Sequence, residues 1–149
     1  MKKLNKIKKE LYNANQDLID KKLVIQSFGN VSTRLGDLIL IKPSGVNLSK
    51  LDYKSIVPVN LSDKNYTGSF KPSSDTPTHI ELYKKYDDIQ SIVHTHSPYA
   101  TSWAQAGSPI PCFGTTHADF WKNKMPVTRK LKKKEIEADY EKNTGLVII

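Results

Sequence analysis

Between Leu23 and Leu61 the sequence holds three short apolar runs broken by glycine, and this stretch constrains the fold more than any other. The runs lie in the segments LVIQSFGNVSTR, GDLILIKPSG and SIVPVNL. Runs of this length, rich in Val, Ile and Leu and bounded by turn-forming residues, are typical of β-strands. Pro58 favours an edge strand or a bulge for the third run, because proline cannot donate to a strand ladder.

Segments with helical spacing flank these strands. Apolar residues recur at steps of three and four over residues 2 to 21, which predicts an amphipathic helix (Leu4, Ile7, Leu11, Ala14, Leu18). A second helix is predicted in SSDTPTHIELYKKY, where Thr76 is a candidate cap and Pro77 lies in the first turn. SIVHTH is predicted as a strand.

The C-terminal third continues the alternation. SPYATSWAQAG predicts a helix capped by Ser97, and PVTRKLKKKEIEADYEKNTG predicts another that ends near Gly145. The final residues TGLVII indicate a turn and then a buried strand. Together the elements predict one α/β domain over residues 1 to 149, with a mixed or antiparallel sheet flanked by helices.

Composition narrows the class of protein. A chain of 149 residues with 26% charged and 38% hydrophobic residues suits one globular domain. The basic N-terminus is not followed by the apolar core of a signal peptide, and the single cysteine, Cys112, fits a reducing compartment, so we expect a cytoplasmic protein. We expect Cys112 to be buried in the core rather than to act as a nucleophile.

The net charge of +8 raises the question of an anionic partner. Much of it lies in KKLNKIKKE and RKLKKKEIE, where a solvated basic helix face is the ordinary explanation. Aromatic residues do not alternate with these lysines, which argues against a surface for single-stranded nucleic acid. We therefore expect neither nucleic acid nor membrane as a partner, and a small anionic substrate remains.

His94 and His96 are candidate metal ligands. Residues two apart in a strand share a face, so the two imidazoles would converge on one point. The alternative is a pair of polar residues at the solvent end of a strand. Asp75, in the loop before the second helix, is the best third ligand, although it could be a helix cap instead. Zinc is the metal that nitrogen and oxygen ligands of this kind suit.

The other two histidines are weaker candidates. His79 lies inside a predicted helix, where a packed or exposed histidine is more common than a ligand. His117, in GTTHADFW, has no assignment from its surroundings.

Three short segments are suited to phosphate: FGNV, KPSG and KPSSD. Backbone N–H groups of such turns can form an anion nest, and serine hydroxyls add donors. Each segment taken alone is also an ordinary turn. The candidate substrate-binding residues are Gly29, Asn30, Ser44, Gly45, Ser73 and Ser74, with Lys42 as a nearby positive charge.

These motifs together resemble the L-ribulose-5-phosphate 4-epimerases of the class II aldolase and epimerase superfamily. The resemblance is carried by SFGNVS, IKPSGV, KPSSDTPTH, IVHTHSPYATSWAQAG and GTTHADFW, and it covers essentially the whole chain. In aldolases of the superfamily a glutamate stands where this chain has Asp75. The adducin-like members lack the metal ligands.

The resemblance implies a class II aldolase-like fold and interconversion of L-ribulose 5-phosphate and D-xylulose 5-phosphate. A metal, usually zinc, would act as a Lewis acid that stabilises the enediolate formed when C3–C4 cleaves. It implies Asp75, His94 and His96 as metal ligands, phosphate contacts from the small-residue turns, and Asp119 as the group that moves the proton on the C4 hydroxyl. It also implies a cytoplasmic homo-oligomer acting on a phosphorylated pentulose.

Relatives in that family are longer, and their C-terminal part supplies a third metal histidine and a catalytic tyrosine from a neighbouring subunit. No histidine follows His117 here. We therefore expect a chain that lacks the family's C-terminal part and has little epimerase activity alone. Two alternatives remain: a zinc-dependent sugar-phosphate aldolase, and a noncatalytic remnant or interaction module.

Overall fold

A computed structural model describes residues 2–25 and 28–149. Its centre is a four-stranded antiparallel sheet of order β3-β2-β1-β4. The strands are β1 (Asn30–Leu35), β2 (Leu38–Ile41), β3 (Val57–Asn60) and β4 (Ser91–His94). The antiparallel α/β architecture predicted from the sequence is confirmed. Pro58 lies on β3 at the edge of the sheet, opposite Leu40 of β2.

Five helices surround the sheet. They are α1 (Lys2–Asp20), α2 (Thr76–Lys85), α3 (Pro98–Gln105), α4 (Thr115–Phe120) and α5 (Lys133–Ile148). The predicted bounds of α1, α2 and α3 are close to these. The short helix α4 was not predicted from the sequence.

Two apolar clusters hold the domain together. Helix α1 packs Leu11 and Leu18 against one cluster, which also contains Val31 and Leu40. The second cluster joins β2 and β3 to α2, through residues such as Ile41, Val57 and Tyr83. Burial of these side chains is the main favourable contribution to folding, and it fixes the strands and the start of α2 relative to one another.

The predicted C-terminal strand is wrong. Residues 144 to 148 continue α5, although β-branched residues and a glycine lower the helix propensity there. Gly145 explains why this helix can pack on α2, because an added Cβ would lie 2.9 Å from the backbone oxygen of Thr78. Close packing therefore outweighs local preference. A kink at Asp139, whose φ and ψ are not helical, separates this part of α5 from its start.

No helix within residues 2–25 and 28–149 is long and apolar enough to cross a membrane.

Candidate functional site

A cleft of about 670 Å³ opens beside the sheet, where β1 and β4 meet the start of α2 and one side of α5. All ten residues predicted to bind substrate or metal line it: Gly29, Asn30, Lys42, Ser44, Gly45, Ser73, Ser74, Asp75, His94 and His96. The cleft is large enough for a small metabolite. The residues come from segments far apart in sequence, so the fold has gathered them.

Strand pairing brings the first segment to the histidines. Asn30 of β1 lies opposite His94 of β4 in the antiparallel register. Gly29 has φ +82°, and an added Cβ would lie 2.7 Å from the backbone oxygen of His94. Only glycine allows this approach without displacing the histidine strand.

The two remaining turns lie side by side. Pro43 and Pro72 form an isolated antiparallel bridge, the N–H of Ser44 donates to the Lys71 oxygen at 2.9 Å, and the N–H of Ser73 donates to the Lys42 oxygen at 3.0 Å. This bridge holds the KPSG turn against the KPSSD loop. Two segments that the sequence predicted separately as phosphate turns therefore form one wall of the cleft.

Asp75 and His94 are in direct contact. Oδ2 of Asp75 lies 2.8 Å from Nδ1 of His94 and accepts a hydrogen bond of 2.6 Å from Nδ2 of Asn30. Burial by itself would raise the pKa of Asp75, but the hydrogen bonds with His94 and Asn30 and the neighbouring imidazoles hold it below its ordinary value. Asp75 is thus an ionised carboxylate at neutral pH.

His96 lies beside His94, with ring centroids 4.9 Å apart. Strand β4 ends at His94, so His96 is placed by the following loop, where its N–H donates to the Leu23 oxygen at 3.0 Å. The alternation of a strand is therefore not what brings the two rings together. Burial, and then the nearby His94, lower the pKa of His96, which favours the neutral imidazole that a metal requires.

The side chains of Asp75, His94 and His96 offer atoms of the types that bind a divalent metal. One ionised carboxylate and two imidazoles, all on one cleft, are oxygen and nitrogen ligands that zinc accepts. Within the described part of the chain, no group of three or more His, Cys, Asp or Glu side chains is arranged so that it could hold a metal ion. Asp75 and His94 satisfy each other by a hydrogen bond instead.

Lys42 is a buried cation in the same cleft. It is 3% exposed, and among residues 2–25 and 28–149 the one hydrogen bond of its Nζ is a long contact of 3.4 Å with the Val46 oxygen. Burial lowers its pKa, while the Asp75 carboxylate works in the opposite direction. A buried ammonium with one weak partner is suited to an anionic ligand.

Asn30 offers an acceptor at the same place. It is buried, and its Oδ1 has no hydrogen-bond partner within the described residues. Nδ2 donates to Asp75, and the remaining amide oxygen can only accept a hydrogen bond. It suits a hydroxyl of a ligand better than a phosphate oxygen.

A buried network that reaches the cleft wall through His79 was not predicted from the sequence. His79 is 2% exposed, its Nδ1 lies 2.7 Å from Oγ of Ser32, and that hydroxyl lies 2.9 Å from the hydroxyl of Tyr83. Burial lowers the pKa of His79 to about 4, so the ring is neutral at pH 7. The i, i+4 spacing of His79 and Tyr83 on α2 is the signal that could have indicated a shared partner.

Asp119 does not join the cleft residues. It is exposed on α4, and its predicted role in proton transfer stays a prediction. His117, on the same helix, is also outside the cleft.

Cys112 is exposed, so the expectation that it is a core thiol is wrong. Four residues of α5 that line the cleft were missed: Tyr140, Glu141, Thr144 and Ile148.

Several solved structures share the fold of this chain. An L-fuculose 1-phosphate aldolase matches 95% of this chain and 68% of its own length at 26% identity and a TM-score of 0.79. The L-fuculose-1-phosphate aldolase of Thermus thermophilus matches 97% of this chain and 72% of its own at 20% identity, with a TM-score of 0.74. A sugar-phosphate aldolase of Thermotoga maritima matches 97% of this chain and 75% of its own length at 18% identity, with a TM-score of 0.72.

The chain spans about half the length of other relatives. It covers, for example, 49% of the Escherichia coli protein YgbL at 25% identity and a TM-score of 0.64. A family model described as the class II aldolase and adducin N-terminal domain matches residues 9–148, almost all of the sequence. The class II aldolase-like fold expected from the motifs is therefore confirmed, and this chain belongs to the class II aldolase and adducin N-terminal domain family.

Proposed function

We propose that this protein is a metal-dependent enzyme of sugar-phosphate metabolism, and that its reaction is the interconversion of L-ribulose 5-phosphate and D-xylulose 5-phosphate. The observation that carries the proposal is the gathering of two phosphate-type turns, the buried Lys42 and the Asp75–His94–His96 group on one cleft. An interaction module has no need of a buried ammonium next to an ionised carboxylate and two imidazoles.

Different residues of the cleft bind different parts of the substrate. The KPSG and KPSSD turns and Lys42 bind the phosphate through hydroxyls, charge and the N–H groups of Gly45 and Ser74, because those of Ser44 and Ser73 already donate to backbone oxygens. Asn30 holds Asp75 in place and accepts from a sugar hydroxyl through its free oxygen. Asp75, His94 and His96 would hold a divalent metal, usually zinc in this superfamily, which when bound supplies Lewis-acid polarisation of the substrate's carbonyl.

Asp119 is proposed to move the proton on the C4 hydroxyl. Because it lies on α4, outside the cleft of its own chain, we propose that it acts in a cleft of a second copy. The α3–α4 region exposes large apolar side chains, with Tyr99 84%, Phe113 78% and Phe120 87% exposed. Such a surface favours self-association. Light scattering should therefore show a homo-oligomer that Phe120→Ser weakens; a monomer at micromolar concentration would contradict this.

A sugar-phosphate aldolase is the second candidate, because the L-fuculose 1-phosphate aldolase above is 26% identical to this chain where the two align. Both reactions cleave the C3–C4 bond of a ketose phosphate. They differ in whether the aldehyde fragment is released or is attacked again on its other face. Asp75 in place of the glutamate of aldolases is the feature that favours epimerisation.

The test is to add L-ribulose 5-phosphate to purified protein loaded with zinc and to follow both products. Formation of D-xylulose 5-phosphate without free glycolaldehyde phosphate would support the epimerase, and released aldehyde would support the aldolase. His94→Ala should abolish either reaction, whereas His117→Ala, outside the cleft, should retain zinc. Protein that binds zinc and phosphate but forms neither product, both alone and with the C-terminal segment of a full-length relative added, would overturn the catalytic proposal.

A further inference from the structure

We infer that this protein has a second anion-binding pocket, separate from the cleft, that takes a phosphate group. The pocket lies between α1, the 3₁₀ turn Tyr53–Ser55, the start of β3 and the loop of residues 67–70, and has a volume of about 110 Å³. Its walls are formed by Lys8, Lys54, Ser55, Ile56, Val57, Thr67, Gly68, Ser69 and Phe70. None of these residues lines the cleft.

Two lysines supply positive charge without a matching carboxylate. Nζ of Lys8 lies 3.5 Å from the backbone oxygen of Lys54, a contact at the limit of a hydrogen bond. Within residues 2–25 and 28–149 neither ammonium forms an ion pair. The acidic residues nearest in sequence are engaged elsewhere: Glu10 pairs with Lys6 at 3.8 Å, and Oδ1 of Asp52 accepts the N–H of Lys54 at 2.9 Å. Burial lowers the pKa of Lys8, and an anion bound beside its ammonium would relieve that penalty.

Neutral donors complete the lining. Thr67 and Ser69 carry hydroxyls, and the backbone N–H groups of Gly68, Ser69 and Phe70 donate to no group of the described chain. Gly68 has φ +110°, a conformation that side chains disfavour, which keeps this turn open. Residues 67–70 are exposed, and the consecutive N–H groups of residues 68–70, which have no acceptor in the described chain and lie next to hydroxyls and Lys8, are the elements of an oxyanion site.

Size and charge favour a phosphate over a larger polyanion. A volume of 110 Å³ equals that of about three to four liquid water molecules, enough for one tetrahedral oxyanion. The buried Ile56 and Val57 form its apolar floor. The Lys8 ammonium, with the exposed Lys54 beside it, suits an anion of one to two charges, as phosphate is near neutral pH. The group could be inorganic phosphate or the phosphate of a sugar monoester.

Titration with inorganic phosphate and, separately, with ribose 5-phosphate, followed by amide chemical shifts, tests the pocket. We expect two saturable responses with phosphate, one at Gly45, Ser73 and Ser74 and one at Gly68 and Ser69. Lys8→Gln/Lys54→Gln should weaken only the second by about tenfold or more, because it removes two charge-assisted contacts. Saturation of the second site by both ligands supports recognition of the phosphate group alone; saturation by ribose 5-phosphate only supports a sugar monoester.

The matched control is Lys122→Gln/Lys124→Gln, which removes two exposed lysines outside the pocket. It should bind like wild type at both sites. The proposal is overturned if Gly68 and Ser69 do not respond to either ligand. It is also overturned if the control pair weakens the response as much, or if chloride at equal ionic strength reproduces it.

Discussion

The sheet region, residues 28–94, and the segment from Thr95 to Thr144 differ in what they contribute to the molecule. The first contains most of the two apolar clusters and every predicted metal ligand except His96. The second, all of which the structure describes, has no buried residue. The candidate site therefore rests on packed elements, whereas Asp119 and the exposed aromatics lie where little holds them in place.

Stability should separate the two regions most clearly. Leu40, fully buried on β2, and Phe120, 87% exposed on α4, are both large apolar side chains. Leu40→Ala should lower the free energy of unfolding by about 3 kcal/mol, through lost burial and a cavity. Phe120→Ala should change it by no more than about 0.5 kcal/mol. Urea unfolding at a protein concentration that keeps the chain monomeric is the measurement, and similar losses in both variants would contradict the division.

Metal binding should depend on Asp75 and His94 of the sheet region and on His96 just after it, and not on α4. His94→Ala removes a proposed ligand and should weaken zinc binding at least about a hundredfold, since even changes around metal ligands cost about 10–100-fold. His117→Ala, on α4, is the control and should bind zinc like wild type. Calorimetry checks both. Equal affinity of His94→Ala and wild type would remove Asp75, His94 and His96 as the site.

The buried His79 should make the sheet region sensitive to acid. Its pKa is about 4 when folded, against 6.5 for an unperturbed histidine. Between these values the unfolded chain binds a proton that the folded chain does not, so stability falls as pH drops. From pH 7 to pH 5 this residue should cost about 2 kcal/mol.

The variant that checks this is His79→Asn, compared with wild type by urea unfolding at both pH values. The asparagine cannot titrate, so the loss on acidification should shrink by that amount, whatever its stability at pH 7. His117→Asn should keep the wild-type dependence. If the unfolding free energy of His79→Asn depends on pH as in wild type, the His79 ring of the wild type is not held neutral.

Phosphate binding in the cleft should depend on one glycine. Gly45 has φ +69°, a conformation that a β-branched residue adopts poorly. Gly45→Val should weaken the binding of inorganic phosphate to the cleft by about tenfold, because it disturbs a turn that donates N–H groups. Gly107→Val, at a similar φ of +67° outside the cleft, is the control for backbone strain. Equal weakening in both variants would indicate a general loss of stability instead.

Much of the site was predictable because its residues sit in turns and strands whose local signals are strong. Pro77 marks the start of α2, glycines mark the turns, and alternating apolar runs mark the strands, so the loops carrying Ser44, Ser73 and Asp75 could be located. The motifs also identified His94 and His96 as neighbours. These local signals give no distances between side chains, so the separation of the two histidine rings could be read only from the folded chain.

The sequence by itself determined the antiparallel α/β class, most helix and strand positions, and ten of the residues that line the cleft between residue 29 and residue 96. Tertiary structure decided the helical state of residues 144–148, the exposure of Cys112, the burial of His79 and the position of Asp119 away from the cleft. The physical reason is that local propensities are worth less than about 1 kcal/mol per residue. Packing and burial, such as the approach of Gly145 to Thr78 or the pairing of His79 with Ser32, involve partners that are distant in sequence and outweigh them.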